Sequence, residues 1–171
     1  MKNAQELLDI AGHIEQERKF TVEVVGALPE CDTTDIWQTY LLPEDGVEPR
    51  LRKRGTPGHW TYYLTTKQQI STDQRLETEK EISEKDYLEQ LQKANPDKQT
   101  IHKVRRCFMY KNLCFELDTF LTPALPHPML EIEGVADAAQ IQFPPCLKIL
   151  EDVTENEQYY NINIAKKQIS K

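Results

Sequence analysis

In several segments between Glu15 and Glu133, charged residues recur at every second position of this chain. Glu15-Gln16-Glu17-Arg18-Lys19 sets two carboxylates and an ammonium at alternate positions, with Phe20, Val22 and Val24 on the opposite parity. Alternate residues of a β-strand share a face, so such a segment has one charged side and one apolar side. Arg50 and Arg52 repeat the pattern with Arg54 behind them, and Thr61, Tyr63, Thr65 and Lys67 stand against Trp60, Tyr62 and Leu64. Arg75, Glu77, Glu79 and Glu81 follow, then Lys103 with Arg105, Glu116 with Asp118, and Glu131 with Glu133. Leu51, Leu76, Ile82, Val104, Phe108, Phe115, Leu117, Leu130 and Ile132 take the opposite parity. A chain written this way is mainly β, and each strand needs a cover for its apolar side.

Turn signals divide the sequence into strands at about His13–Val24, Asp35–Leu42, Glu48–Arg54, His59–Lys67, Arg75–Ile82, Thr100–Met109, Leu113–Leu121 and Met129–Gly134. Pro43-Glu44-Asp45-Gly46, Gly55-Thr56-Pro57-Gly58 and Lys111-Asn112 are the turns between neighbours. Ser83-Glu84-Lys85-Asp86 reads as a capped start for a helix with Tyr87, Leu88 and Leu91 on one face, closed by Asn95-Pro96-Asp97. A second helix is expected after Pro144-Pro145, carrying Leu147, Ile149 and Leu150. Asn3 to Ile10 reads as a short helix or the tail of a linker, so residues 1–12 form an N-terminal extension ahead of one domain over 13–171.

Composition limits the function classes. A formal charge of −7 lacks the basic footprint of a non-specific nucleic-acid binder, so any bound anion needs a local basic site. No apolar run approaches the roughly 20 residues of a membrane span, and the N-terminus lacks a signal-like apolar core, which points to the cytoplasm. Cys31, Cys107, Cys114 and Cys146 have no paired or ligand spacing and read as free thiols. His13, His59, His102 and His127 likewise lack ligand spacing. Trp37, Trp60, Phe108, Phe115 and Phe120 read as packing residues, and Lys53 and Arg106 fall out of phase with the charged face.

Two arrangements fit the alternation. Each strand can pack its apolar face inward and show charge to water, which is the better reading of any one strand. Alternatively, the charged faces line the axis of a wide closed barrel and helices cover the apolar outside. Repetition of Glu-x-Glu, Arg-x-Arg and Glu-x-Asp on successive strands favours the barrel.

The ordered series Glu15-x-Glu17-x-Lys19, Arg50-x-Arg52, Leu64-Thr65-Thr66-Lys67, Arg75-x-Glu77-x-Glu79, Arg105, Glu116-x-Asp118 and Glu131-x-Glu133 resembles the CYTH domain, or triphosphate tunnel metalloenzyme family, from residue 13 to the C-terminus. The stretch from Gln38 to Lys67 looks most like CYTH halves fused behind a nucleotide-binding ATPase domain, although no phosphate-loop GxxxxGK[ST] motif exists here. The resemblance implies an α+β fold with a closed eight-stranded antiparallel tunnel, helices packed outside, and a triphosphate bound with Mg²⁺ or Mn²⁺. Lys19, Arg50, Arg52, Lys67, Arg75, Lys103 and Arg105 would form its phosphate-binding wall, where Arg offers bidentate contacts and Lys a movable charge. Glu15, Glu17, Glu116, Asp118, Glu131 and Glu133 would hold the hard divalent ions. Glu77 and Glu79 are the candidates to position the attacking water.

The expected activity is metal-dependent hydrolysis of inorganic tripolyphosphate to phosphate and diphosphate. The family also contains thiamine triphosphatases, RNA triphosphatases and adenylate cyclases, and no feature here selects adenine, thiamine or RNA. A tunnel that binds a nucleotide or phosphorylated ligand without turnover, serving an attached ATPase domain or a protein partner, is the alternative. Tyr159-Tyr160 falls where the family often places a tunnel-closing segment.

Overall fold

Lys111 and Asn112 both take positive φ, 48° and 64°, the conformation whose twist matches a two-residue hairpin. They turn strand β7 (Ile101–Tyr110) back onto β8 (Leu113–Thr122). Gly55, at φ 146°, ends a second hairpin between β4 (Arg50–Thr56) and β5 (His59–Gln69). A Cβ at Gly55 would stand 2.0 Å from the His59 carbonyl oxygen, so only glycine fits that crossing.

The computed structural model describes residues 13–14, 17–69 and 75–167. The remaining strands are β1 (His13–Ile14), β2 (Glu17–Val24), β3 (Asp32–Tyr40), β6 (Arg75–Ile82), β9 (Met129–Glu133) and β10 (Leu147–Asp152). All ten form one sheet in the order β1-β6-β5-β4-β3-β7-β8-β9-β2-β10, and every paired neighbour is antiparallel. Ile14 and Glu17 are three peptide units apart, at most about 11 Å, yet β1 pairs with β6 and β2 with β9. The sheet therefore bends until its β6 side approaches β2.

Two helices accompany the sheet, α1 (Glu84–Leu91) and α2 (Asn161–Ile164). The Ser83 hydroxyl accepts the Asp86 N–H at 3.0 Å, as the capping pattern predicts. Tyr87 is buried, but Leu88 lies on the exposed side of α1, so the predicted apolar face is narrower than expected. The residues expected to start a second helix after Pro144-Pro145 instead form β10. The edge of β2 explains the difference: its backbone groups need partners, and Leu147↔Val24 and Ile149↔Val22 supply them before a bulge between Ile149 and Glu151. The expected first strand is observed as β1 and β2, and the helix or linker proposed for Asn3–Ile10 lies outside the described residues. No helix among the described residues is long and apolar enough to cross a membrane.

Two covers shield the apolar faces. Tyr87 of α1, with Leu91, packs on Leu41, Leu51 and Tyr62, over β4 to β6. On the other half, Phe20, Val22, Phe108, Phe115, Leu117, Leu130 and Ile132 are buried beneath Val135, Ile141, Phe143 and Cys146. That second cover is an irregular segment with one 3-10 turn at Ala138–Gln140, not the expected helix. Removing a fully buried leucine such as Leu117 from this layer costs about 2–5 kcal/mol. A third cluster sits on the charged-face parity: Tyr40, Ile101, Phe120 and Met129 pack with Ala165, Ile162 and Ile164 around α2. This apolar end closes the row of charges on the strands above it.

Candidate active site

Strand parity places the predicted charges on one face, and that face is not a solvated surface. Lys19, Arg50, Lys103, Asp118 and Glu131 are all buried. Isolated charges do not persist away from water, so each needs a counter-ion. The side chains divide into two linked groups.

The first group lies on β2, β7, β8 and β9. Register sets Lys19 opposite Glu131, Glu17 opposite Glu133, and Arg105 opposite Asp118. Lys19 Nζ lies 3.2 Å from Glu17 Oε1 and 3.4 Å from Glu131 Oε1. Lys103 Nζ donates to Asp118 Oδ2, and both residues are fully enclosed. Arg105 spans three carboxylates. Its Nε and Nη2 donate to Asp118 at 2.7 Å each, Nη2 also donates to Glu131 Oε2 at 2.7 Å, and Nη1 donates to Glu116 Oε2. Glu133 is exposed at the end of β9.

The environment tunes these groups unequally. Burial would raise the Glu131 pKa, but Lys103, Arg105 and Lys19 outweigh it and hold the carboxyl well below its usual range. Burial raises Glu116 above its ordinary value, with Glu131 and Glu133 adding to it and Arg105 opposing. For Lys19 burial acts downward, yet Glu131 and Glu17 carry its pKa above the usual lysine value. Burial lowers Lys103 against the pull of Asp118. Arg105 is held firmly protonated by its three carboxylates in spite of burial.

The second group lies on β4, β5 and β6. Arg50 Nη2 donates to Glu77 Oε1 at 3.3 Å, and Lys67 Nζ lies 3.0 Å from Glu77 Oε2. Arg52 Nη1 and the Thr65 hydroxyl both donate to Glu79 Oε2, at 3.3 and 3.1 Å. Burial acts to raise Glu77, but Arg50 and Lys67 keep it below the usual carboxylate value. Burial, reinforced by Arg50, brings Arg52 down to about 10, so it stays charged at neutral pH. Arg105 also repels Arg52 across β3, which ties the two groups electrostatically.

Between them β3 presents Gln38 and Tyr40. The Gln38 amide donates to the Tyr40 hydroxyl at 3.0 Å, and the fully buried Gln38 Oε1 has no hydrogen-bond partner. Burial raises the Tyr40 phenol, with Arg50 and Lys67 opposing, so the hydroxyl remains a donor. Tyr160 brings its ring to 5.9 Å from Lys19 Nζ. The charge alternation could not select Gln38 or Tyr40. Their signal was positional: they pair with Arg52 and Arg50 across the turn at Pro43–Gly46.

Of the predicted site residues, Lys19, Lys103, Arg105, Glu17, Glu116, Asp118 and Glu131 meet in the first group, and Arg50, Arg52, Lys67, Glu77 and Glu79 in the second. Glu15 and the Arg75 side chain lie outside the described residues, although Arg75 stands on β6 opposite Gln69. Arg105, expected on the phosphate wall, is engaged by the carboxylates. Among the described residues, no group of three or more His, Cys, Asp or Glu stands ready to hold a metal ion. The donor chemistry nevertheless suits a hard divalent cation: the oxygens are carboxylate, and Glu131 Oε1 has no hydrogen-bond partner.

No protein-family model matches the chain. An inorganic triphosphatase of Nitrosomonas europaea is 30% identical over 156 residues, which are 88% of this chain and 96% of that protein. A crystal structure of an inorganic triphosphatase superposes with a TM-score of 0.63 at 30% identity, covering 94% of this chain and 99% of the other. A Bacillus halodurans protein provisionally assigned as an adenylate cyclase shares the fold, with a TM-score of 0.53 at 17% identity over 95% and 96% of the two chains.

Proposed function

Because the chain belongs to the inorganic triphosphatase family, we propose that it hydrolyses inorganic tripolyphosphate to phosphate and diphosphate with Mg²⁺ or Mn²⁺. The observation that carries this reading is the pairing, on one largely buried face, of a cation-rich group at Arg50, Arg52 and Lys67 with a carboxylate-rich group around Glu116 and Glu131. A triphosphate needs the first, and a hard divalent ion needs the second.

The order of strands supports a closed tunnel. Were β1 and β2 one strand, it would close a ring of eight with β6, β5, β4, β3, β7, β8 and β9, and β10 would remain an extra strand paired with β2. Arg50, Arg52 and Lys67 bind the phosphate oxygens, and Arg75, which shares the parity of Glu77 on β6, is proposed as a further phosphate contact. Lys19 and the Tyr40 hydroxyl keep their protons and donate. Glu15, Glu17, Glu116, Glu131 and Glu133 would hold the divalent ion, with Asp118 behind them bound by Lys103 and Arg105, and that ion would supply charge neutralisation to the phosphate oxygens. Glu77, kept ionised by Arg50 and Lys67, orients the water in line with the terminal phosphorus together with Glu79. Its lowered pKa makes it a positioning group more than a strong base.

The free cysteines suit a cytoplasmic enzyme. The relative is matched over 96% of its length. Phosphate release from tripolyphosphate by the purified chain, with each metal, tests the proposal. Stabilisation by tripolyphosphate without phosphate release from it, or from nucleoside or thiamine triphosphates, would replace hydrolysis by binding alone.

A further inference from the structure

Arg105 uses its guanidinium in a way that a phosphate ligand would not. It makes a two-point bond to Asp118 through Nε and Nη2, and single bonds to Glu116 through Nη1 and to Glu131 through Nη2. Asp118 is also bonded by Lys103, in a fully buried pair. Three cations, Lys19, Lys103 and Arg105, thus face Glu17, Glu116, Asp118 and Glu131 in one network. Such a network is nearly neutral, and it leaves little attraction for a divalent ion entering on its own.

We propose that Arg105 is the exchangeable counter-ion of the metal site: it holds Glu116 and Glu131 together before the metal arrives, and yields both to a divalent cation while keeping Asp118. The unequal bonding supports this division. Asp118 is anchored by the two-point bond and by Lys103, whereas Glu116 and Glu131 each hold Arg105 through a single N–H. Glu131 also keeps an oxygen, Oε1, with no hydrogen-bond partner and with the Lys19 ammonium 3.4 Å away. Once released, Nη1 becomes free to donate to a phosphate oxygen, which gives Arg105 the phosphate contact expected from its parity. Metal and phosphate then help each other to bind, because each favours the arrangement in which Arg105 has left the two glutamates.

The inference rests on the metal site of the proposed function, but its test does not use turnover. Mn²⁺ alone, titrated against the chain and followed by electron paramagnetic resonance, should bind Arg105→Met at least about tenfold more tightly than the parent. Arg105→Lys, which keeps the charge without the fork, should fall between. An Arg105→Met protein that is folded by circular dichroism yet binds Mn²⁺ no more tightly overturns the proposal. Should that variant fail to fold, the ¹⁵Nη1 resonance of Arg105 in the parent chain, identified by its absence in Arg105→Lys, decides. It should shift saturably with Mg²⁺, and no saturable shift overturns the exchange. Exchange without phosphate release would refute the triphosphatase reading alone, and hydrolysis with Arg105 unmoved would refute the exchange alone.

Discussion

On β4, β5 and β6, three cations, Arg50, Arg52 and Lys67, face two carboxylates, Glu77 and Glu79; on β2, β7, β8 and β9, three cations face four. The two halves also differ in access to water. Side-chain exposure is 31% at Glu79 and 36% at Lys67, but 0% at Asp118 and 1% at Lys103. Similar residue types therefore do different work. In the first half an excess of positive charge stays within reach of an incoming anion. In the second, ion pairs are sealed into the strands, and they fix where the outer carboxylates stand. Low dielectric makes the sealed pairs strong and also makes them intolerant of losing one partner.

Breaking a sealed pair should therefore give the largest effect on folding. Asp118→Ala leaves Lys103 buried without its partner and should cost about 3–5 kcal/mol in denaturant unfolding. A loss below about 1 kcal/mol would mean that water reaches the pair and that the two halves are alike. The next effect belongs to function. Arg52→Ala should weaken tripolyphosphate binding by about a hundredfold while metal binding is largely kept, since a charged hydrogen-bond donor contributes about 1.5–3 kcal/mol. Calorimetric titration of both ligands reads the difference, and equal losses for the two would erase the division into halves.

A pH series sharpens the comparison at lower amplitude. The pKa of Glu131, and that of Glu77, is lowered in the folded chain, so both contribute stability that is present above the unfolded glutamate pKa of about 4.3 and lost as pH falls through the folded values. Glu116 is raised and acts with the opposite sign: its burial penalty is full above the folded pKa and fades toward the unfolded one. Unfolding free energies measured from neutral pH downward should thus fall less steeply for Glu131→Gln than for the parent. Glu116→Gln should remove an opposing slope just above the unfolded value. A parallel curve for Glu131→Gln would show that its carboxyl is not held ionised by Lys103, Arg105 and Lys19. The smallest effect is expected outside both halves, where Glu23 and Lys148 form an exposed pair at 3.4 Å. Glu23→Ala should change stability by no more than about 0.5 kcal/mol and leave tripolyphosphate binding as it was. A clear loss of binding would extend the site to Glu23.

Much of this arrangement is legible in the sequence because a strand has a two-residue period. Parity alone assigned Lys19, Arg50, Arg52, Lys103, Arg105, Asp118 and Glu131 to one face and Phe20, Leu51, Phe115 and Leu130 to the other. Hairpin turns at Gly55–Gly58 and Lys111-Asn112 then fixed local registers. Local pattern failed at β10, where Leu147, Ile149 and Leu150 carry helix-like spacing. The segment became a strand because the edge of β2 was there to pair with it.

The sequence by itself determined which side chains share a face, since chirality and the pleat leave no other choice once the strands form. Only the tertiary structure decided which opposite charges meet. Pairing of β3 with β7 joins segments more than 60 residues apart and brings the Arg52 half beside the Arg105 half. Pairing of β2 with β9 sets Lys19 against Glu131 across more than 100 residues. Coulomb energy depends on separation and burial, which the order of residues does not specify, so Arg105 could be assigned inward from the sequence but not assigned its three carboxylates.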